Sequence, residues 1–211
     1  MKILKSLQFL TLGLSVLSFA AWSQTPNPKT TYMVEGQTVS PWQPVLGDES
    51  NWYQPVEGEQ ATSANKGISY EKVVDEGKSA AQVTWRSKKK DAAFTIAGSK
   101  TNLSALPKTV GLVIDLKMHN KLRNPLTLSM DCEYPCRGSV NLKPLLDAYP
   151  TKEWITLPLP LRCFSQAGTD LSKVNSPLHL QTKGKFKLSI GEVRLVQLPA
   201  DVPLCQEKPN Q

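Results

Sequence analysis

Alternation is the feature that most constrains what this chain can fold into. Between Ile68 and Leu198 apolar residues recur at every second position in short runs, and no long amphipathic helix interrupts them. A strand turns successive side chains to opposite faces, so this period describes strands with one face in a core and one in water. The runs are Ile68–Val74, Ala81–Arg86, Ala92–Ala97, Val110–Met118, Leu126–Asp131, Trp154–Leu161, Pro177–Thr182 and Phe186–Leu198. Turn-forming stretches separate them, among them Glu76-Gly77, Ser87 to Asp91, Asn120 to Pro125 and Lys183-Gly184-Lys185. Eight strands at this spacing predict an all-β fold, an antiparallel β-sandwich of the jelly-roll kind. A short helix is expected at Leu142–Ala148, and a single helical turn after Asp170, whose side chain can cap it.

The phase of each run assigns faces. In Val110–Met118, residues Leu112, Ile114, Leu116 and Met118 point inward, while Asp115, Lys117 and then His119 point outward. In Leu126–Asp131, Leu126, Leu128 and Met130 point inward, and Thr127, Ser129 and Asp131 outward. The turn-like stretch between these runs predicts a hairpin, with Asp115, Lys117, His119, Ser129 and Asp131 on one polar surface. In the last run Val193 and Leu195 are out of step with Phe186, Leu188 and Ile190, which places a β-bulge at Gly191.

Two segments fall outside this pattern. Met1 to Lys5 carries two lysines, Leu7 to Ala21 is almost wholly apolar, and Ala21-Trp22-Ser23 is a small-x-small cleavage signal. This is the layout of a secretory signal peptide over residues 1–23, and the run is short for a membrane span. Residues 24–65 contain Pro26, Pro28, Pro41, Pro44 and Pro55 with no sustained period, which predicts an extended arm or linker before a sandwich at 66–200 and a tail at 201–211. Trp42, Trp52 and Tyr53 are unusual in a linker and are expected to pin it to the domain.

An exported chain is expected to oxidise its cysteines. Four are present: Cys132, Cys136, Cys163 and Cys205. They allow three connectivities. Cys132 with Cys136, close together around Pro135, and Cys163 with Cys205 is the expected pairing. No second close pair and no nearby histidine completes a zinc set. The formal charge of +7 comes from 25 basic and 18 acidic residues, and falls to about +5 without Lys2 and Lys5. Such a charge reads first as a solvated surface with some excess lysine; contact with an acidic polysaccharide or the cell envelope is the lesser reading, and nucleic acid, for which no binding motif is present, is not expected.

Four segments resemble a known module. They are Gly111-Leu-Val-Ile-Asp-Leu-Lys117, Leu126-Thr-Leu-Ser-Met-Asp-Cys-Glu-Tyr-Pro-Cys-Arg-Gly138, Trp154-Ile-Thr-Leu-Pro-Leu-Pro-Leu-Arg-Cys-Phe164 and Asp170-Leu-Ser-Lys-Val174. Together they are similar to the C-terminal galactose-binding-like domain of ExoP-type β-glucosidases, members of glycoside hydrolase family 3. The resemblance covers roughly residues 80–198 and is most specific at the Met-Asp-Cys-x-Tyr-Pro-Cys segment. It implies a β-sandwich that accompanies a glucan-hydrolysing enzyme, here without room for the catalytic domains. Glu133 and Arg137 stand where smaller residues are expected.

No catalytic set emerges. His119 and His179 lie in no triad pattern, and no phosphate-binding glycine loop is present. Asp115 and Asp131, if neighbours on the hairpin, are the one carboxylate pair to consider for glycoside hydrolysis. They read instead as solvated strand carboxylates or as acceptors for sugar hydroxyls. Sugars are held by an aromatic plane and planar polar groups. The candidate carbohydrate-binding residues are therefore Asp115, His119, Ser129, Asp131, Tyr134 and Trp154. The expected partner is a polysaccharide or oligosaccharide, with a glycoside hydrolase as a second candidate, no nucleic acid and no membrane span. No metal or cofactor is expected, and the location is periplasmic or secreted.

Overall fold

The computed structural model describes residues 25–86, 90–199 and 205. The expected signal peptide and most of the tail lie outside these residues. Within them, strands numbered in chain order form two antiparallel sheets. The first sheet contains β1 (Thr31–Val34), β2 (Gln37–Thr38), β5 (Gln60–Thr62), β6 (Ile68–Asp75), β7 (Lys78–Trp85), β9 (Val110–Met118), β12 (Trp154–Pro160) and β14 (Phe186–Gln197). Its order is β12-β9-β14-β7-β6-β5, with β1 paired to β14 and β2 to β1. The second contains β3 (Gln43–Asp48), β4 (Asn51–Pro55), β8 (Asp91–Ala97), β10 (Leu126–Asp131), β11 (Arg137–Asn141) and β13 (Ser176–Lys183), in the order β11-β10-β13-β8-β3-β4. The chain is an all-β sandwich, as the alternation predicts.

The inward faces meet in one core. Leu112, Ile114 and Leu116 of β9 enter it from one sheet, and Leu126, Leu128 and Met130 of β10 from the other. Trp85 is buried, and its indole N–H donates to the Ala92 carbonyl at 2.9 Å, so the polar end of the ring is satisfied. The register of β14 against β9 slips between Ile190 and Glu192, which puts the bulge at Gly191. Helix α1 (Lys143–Leu146) lies inside the expected helical stretch, and Asp170 caps a turn of 3₁₀ helix at Leu171–Lys173 by accepting from the Ser172 N–H. A second helix, α2 (Leu161–Gln166), follows β12 directly. The bridges are Cys132–Cys136 and Cys163–Cys205.

Two expectations are corrected. Residues 24–65 are not an arm: five short strands between Thr31 and Thr62 are built into both sheets. Trp42 pins the segment as expected, buried edge-on against Tyr32 and donating from its indole nitrogen to the Pro28 carbonyl at 2.7 Å. Trp52 and Tyr53 stay exposed. The second correction concerns β9 and β10, which do not pair. β9 lies between β12 and β14 of the first sheet, and β10 between β11 and β13 of the second. The stretch after β9 crosses from one sheet to the other, with Leu122 buried on the way. The single polar face expected for Asp115, Lys117, His119, Ser129 and Asp131 is therefore split between opposite outer surfaces.

Candidate functional site

One row of residues crosses the outer face of the second sheet from edge to edge. In register it runs Ser139, Ser129, His179, Thr95, Val45 and Pro55. Small side chains follow on the neighbouring rungs, at Ala93, Ala97 and Gly47. Small residues in the middle and bulky ones at the margins leave a cleft of about 670 Å³. Trp52 and Tyr53 of β4 stand at one margin, and the Cys132–Cys136 loop with Tyr134 at the other. The exposures mark these rings as unspent: 49% for Trp52, 56% for Tyr53 and 100% for Tyr134. A ring left in water by a fold this well packed is available to a ligand.

The polar groups of the cleft are planar and fixed. Arg137 donates to both carboxylate oxygens of Asp131, at 2.6 and 2.8 Å, a two-pronged geometry that holds both groups flat. Asp131 and Arg137 face each other because β10 and β11 pair there in register. Glu133, in the same loop, is tied to Lys100. His179 shares its Nδ1 with the Thr95 hydroxyl at 2.8 Å and places Nε2 3.3 Å from Gln181 Oε1. A neutral ring with its proton on Nε2 satisfies both contacts. Burial holds its pKa below the usual histidine value, with Arg137 adding to the effect and Asp131 and Gln181 opposing it.

This protonation behaviour predicts a pH dependence. His119 is also held low, again chiefly by burial. As the pH falls below about 6.5, the unfolded chain takes up protons that the folded chain does not, so stability falls with pH in that range. Carboxylates act only lower, near about pH 4. The urea midpoint is expected to be lower at pH 5 than at pH 7.5, and a His179→Gln variant should lose part of that difference.

Asp48 sets the turn that presents Trp52. Its carboxylate accepts from the Ser50 N–H at 3.0 Å, the Ser50 hydroxyl at 2.9 Å and the Asn65 N–H at 2.8 Å. Burial pushes its pKa up, but the hydrogen bonds from Ser63, Asn65 and Ser50 outweigh that and hold it at about 2. The stabilisation is therefore present above the ordinary carboxylate range and is lost as the pH falls towards 2. Gly47 beside it has no side chain, and a Cβ there would come within 3.2 Å of Trp52 Cε3. Asp48→Ala removes the shared acceptor of the part-buried Ser50 and Asn65 donors and is expected to lower the unfolding free energy by about 1–2 kcal/mol, measurable by urea titration at neutral pH.

The charged groups of the opposite outer face are paired with one another, although the buried Trp154 Nε1 there has no hydrogen-bond partner among the described residues. Asp75 accepts from Lys117 at 2.8 Å and from the Ser189 hydroxyl at 3.0 Å, and His119 Nε2 lies 2.8 Å from the same hydroxyl. Asp115 accepts from Thr156 at 2.7 Å and pairs with Lys78 and Arg194. Trp154 lies under the Lys78 ammonium, 4.5 Å from its ring centroid. Asp115, His119 and Trp154 are thus on this face, away from Asp131, Tyr134 and Ser129. The core separates Asp115 from Asp131, so the pair cannot flank one glycosidic bond. No group of three or more histidine, cysteine, aspartate or glutamate side chains suited to a metal occurs among the described residues.

Residues 40–195 match the ExoP C-terminal family, described as galactose-binding domain-like. The chain belongs to this family. The galactose-binding-like family is one of non-catalytic accessory domains, and the chain is not an enzyme. No curated protein sequence matches. Among solved structures the chain is similar to the extra C-terminal domain of an exo-1,3/1,4-β-glucanase, ExoP, from a Pseudoalteromonas species. The TM-score is 0.67 at 19% identity, covering 86% of this chain and 99% of that domain. It is also similar to the family 30 carbohydrate-binding module of a cellulosomal cellulase from Clostridium thermocellum, with TM-score 0.57 and 13% identity over 82% of this chain and 98% of the module. A third similar structure is a family 11 carbohydrate-binding module from Clostridium thermocellum in complex with a β-1,3-1,4-mixed-linked tetrasaccharide. There the TM-score is 0.50 at 13% identity, over 80% and 96% of the two chains. In this galactose-binding-like domain the cleft residues that alternation alone did not point to are Trp52, Tyr53, Arg137, His179 and Gln181. For Trp52 and Tyr53 the signal was their presence in a polar, proline-rich stretch.

Proposed function

We propose that this chain is an exported carbohydrate-binding domain, periplasmic or secreted, that holds a β-linked glucan on the outer face of its second sheet. The observation that carries this reading is the pair of facing margins, Trp52 and Tyr53 opposite Tyr134, above a floor of fixed planar polar groups. Rings stack on the apolar faces of sugars, while Arg137, Asp131, His179 and Gln181 offer donors and acceptors to hydroxyls. Two similar structures support the ligand class: one is a cellulase's carbohydrate-binding module, and the other holds a mixed-linked β-glucan tetrasaccharide. The two disulfides suit an oxidising compartment. No helix among the described residues is long and apolar enough to cross a membrane.

A second reading is docking to a glycoside hydrolase. It is favoured by the similar domain in the full-length Pseudoalteromonas exo-glucanase, of which this chain covers 22%. Titration of the purified protein with mixed-linkage β-glucan, laminarin and α-linked dextran tests the first reading. Binding to a β-glucan and not to dextran is expected, and Asp115→Ala on the opposite face should leave it unchanged. Failure to bind either β-glucan sinks the proposal and leaves docking.

A further inference from the structure

The charge of this protein is unevenly placed. At the end of the sandwich where β7 meets β8, β9 leads to β10 and β13 turns into β14, six cations gather: Arg86, Lys121, Arg123, Lys183, Lys185 and Lys187. None of the six has a carboxylate within ion-pair distance among the described residues, whereas Lys90 nearby is paired with Glu49 at 3.0 Å. Asp91, opposite Lys183 in register, is a neighbouring carboxylate. Lys88 and Lys89 belong to the same connection and lie outside the described residues.

The two loops carrying five of these cations are locked together. Asn120 accepts from the Lys187 N–H at 3.0 Å and donates to the Lys185 carbonyl at 3.2 Å. The Thr182 hydroxyl donates to the Pro125 carbonyl at 2.7 Å, and the His119 N–H to the Lys187 carbonyl at 3.0 Å. Gly184 abuts Asn124 so closely that any Cβ would collide with it. A fixed array of like charges repels itself in the free protein, and a matching polyanion relieves that repulsion without ordering the loops first.

We infer that this end is a second binding surface, separate from the cleft, that takes an acidic polysaccharide bearing carboxylate or sulfate groups. Two observations favour a polysaccharide over an anionic membrane. The apolar residues of the two loops, Leu122 and Phe186, are buried in the core, so these loops offer nothing to insert among lipid tails. A smaller cavity of about 270 Å³ on the second sheet reaches Lys183 at the basic end and offers the hydroxyls of Thr127 and Ser139 and the Gln181 amide to a sugar chain, with Asp91 also in its wall. The inference stands whether or not the cleft holds a glucan.

The test uses polygalacturonate and dextran sulfate as probes, with neutral dextran and phosphatidylglycerol vesicles as comparisons. The wild-type protein is expected to bind at least one polyanion, and affinity should fall at least about tenfold between 50 and 200 mM salt. A variant with Lys121→Glu, Arg123→Glu, Lys183→Glu and Lys185→Glu should lose at least about tenfold in affinity at low salt. A glutamine set at the same positions replaces it if the reversal does not fold. Reversing Lys29, Lys72, Lys108 and Arg162 instead, all away from these loops, should leave most of the affinity. Equal loss in both sets would show that total charge and not this surface is responsible. No polyanion binding, unchanged binding in the loop variant, or tighter binding to the vesicles would each overturn the inference. Retention of any β-glucan binding by the loop variant keeps the two surfaces distinguishable.

Discussion

Replacing both Cys163 and Cys205 by alanine is expected to lower the unfolding free energy by about 4 kcal/mol, with a fall in Tm of roughly 8–16 °C. The bridge spans 42 residues of sequence, a length at which closing the loop removes much of the freedom of the unfolded chain. In the folded chain it ties the segment beyond β14 to α2, where Cys163 is buried against the core beside Phe164. Removing both sulfurs avoids a free thiol that could mispair. The Cys132–Cys136 bridge closes only four residues of separation, and the same chain-entropy argument gives about 2 kcal/mol there. Denaturant titration of the two double variants checks both values. Equal losses, or a smaller loss for the longer loop, would show that strain or residual structure in the unfolded chain dominates instead.

Much of this fold is legible in the alternation, and the reasons for the remainder are physical. The bounds expected for β9 and β10 match those observed, because a clean period of two leaves little room for another register. That same period states which side chains point inward but not which sheet a strand joins. Leu112, Ile114 and Leu116 look identical whether Leu126, Leu128 and Met130 sit beside them in one sheet or face them across the core. Residues 119–125 resemble a hairpin turn in composition yet are long enough to cross the sandwich. The early strands were hidden by their brevity and their prolines. Pro44 sits within β3, but its carbonyl accepts from the Val56 N–H, so its missing donor falls at the last rung of the β3–β4 pairing, where the cost is small.

The candidate site is half legible for a related reason. Asp131, Ser129 and Tyr134 stand out because β10 and the cysteine loop are distinctive. Asp115, His119 and Trp154 also lie on an outward face, but alternation cannot tell an open face from one whose polar groups are already consumed. Lys117 shows the difference. It is outward in phase yet buried, because Asp75 and Glu76 of the β6–β7 turn close over it, at 2.8 and 2.9 Å. His179 and Gln181 gain their meaning only when β13 is set between β10 and β8, a pairing of segments far apart in the chain.

Trp52→Ala is expected to weaken β-glucan binding by about 2 kcal/mol, close to thirtyfold, with Tyr134→Ala of similar size. Both side chains are large and exposed: Trp52 lies against Gly47, which limits its freedom, and Tyr134 stands wholly exposed on a loop closed by a disulfide. The Trp52 ring, already restricted, loses little freedom on stacking, so most of its contact appears as affinity, whereas Tyr134 gives up more rotamer freedom for its contact. Tyr53 donates no ring face so freely, since its hydroxyl is bonded to Gln43 Nε2 at 2.8 Å, and its removal should cost less. Asp131→Ala acts differently. It leaves Arg137 without its partner and removes the carboxylate that favours protonation of His179, so it should weaken binding while altering its pH dependence. Trp154→Ala, on the other sheet, is the control and should bind as the wild type does. Calorimetric titration of these variants, each checked for folding by its unfolding midpoint, gives the answer. If Trp52→Ala and Tyr134→Ala keep wild-type affinity while Trp154→Ala loses it, the glucan sits on the first sheet and the cleft between Trp52 and Tyr134 is not its site.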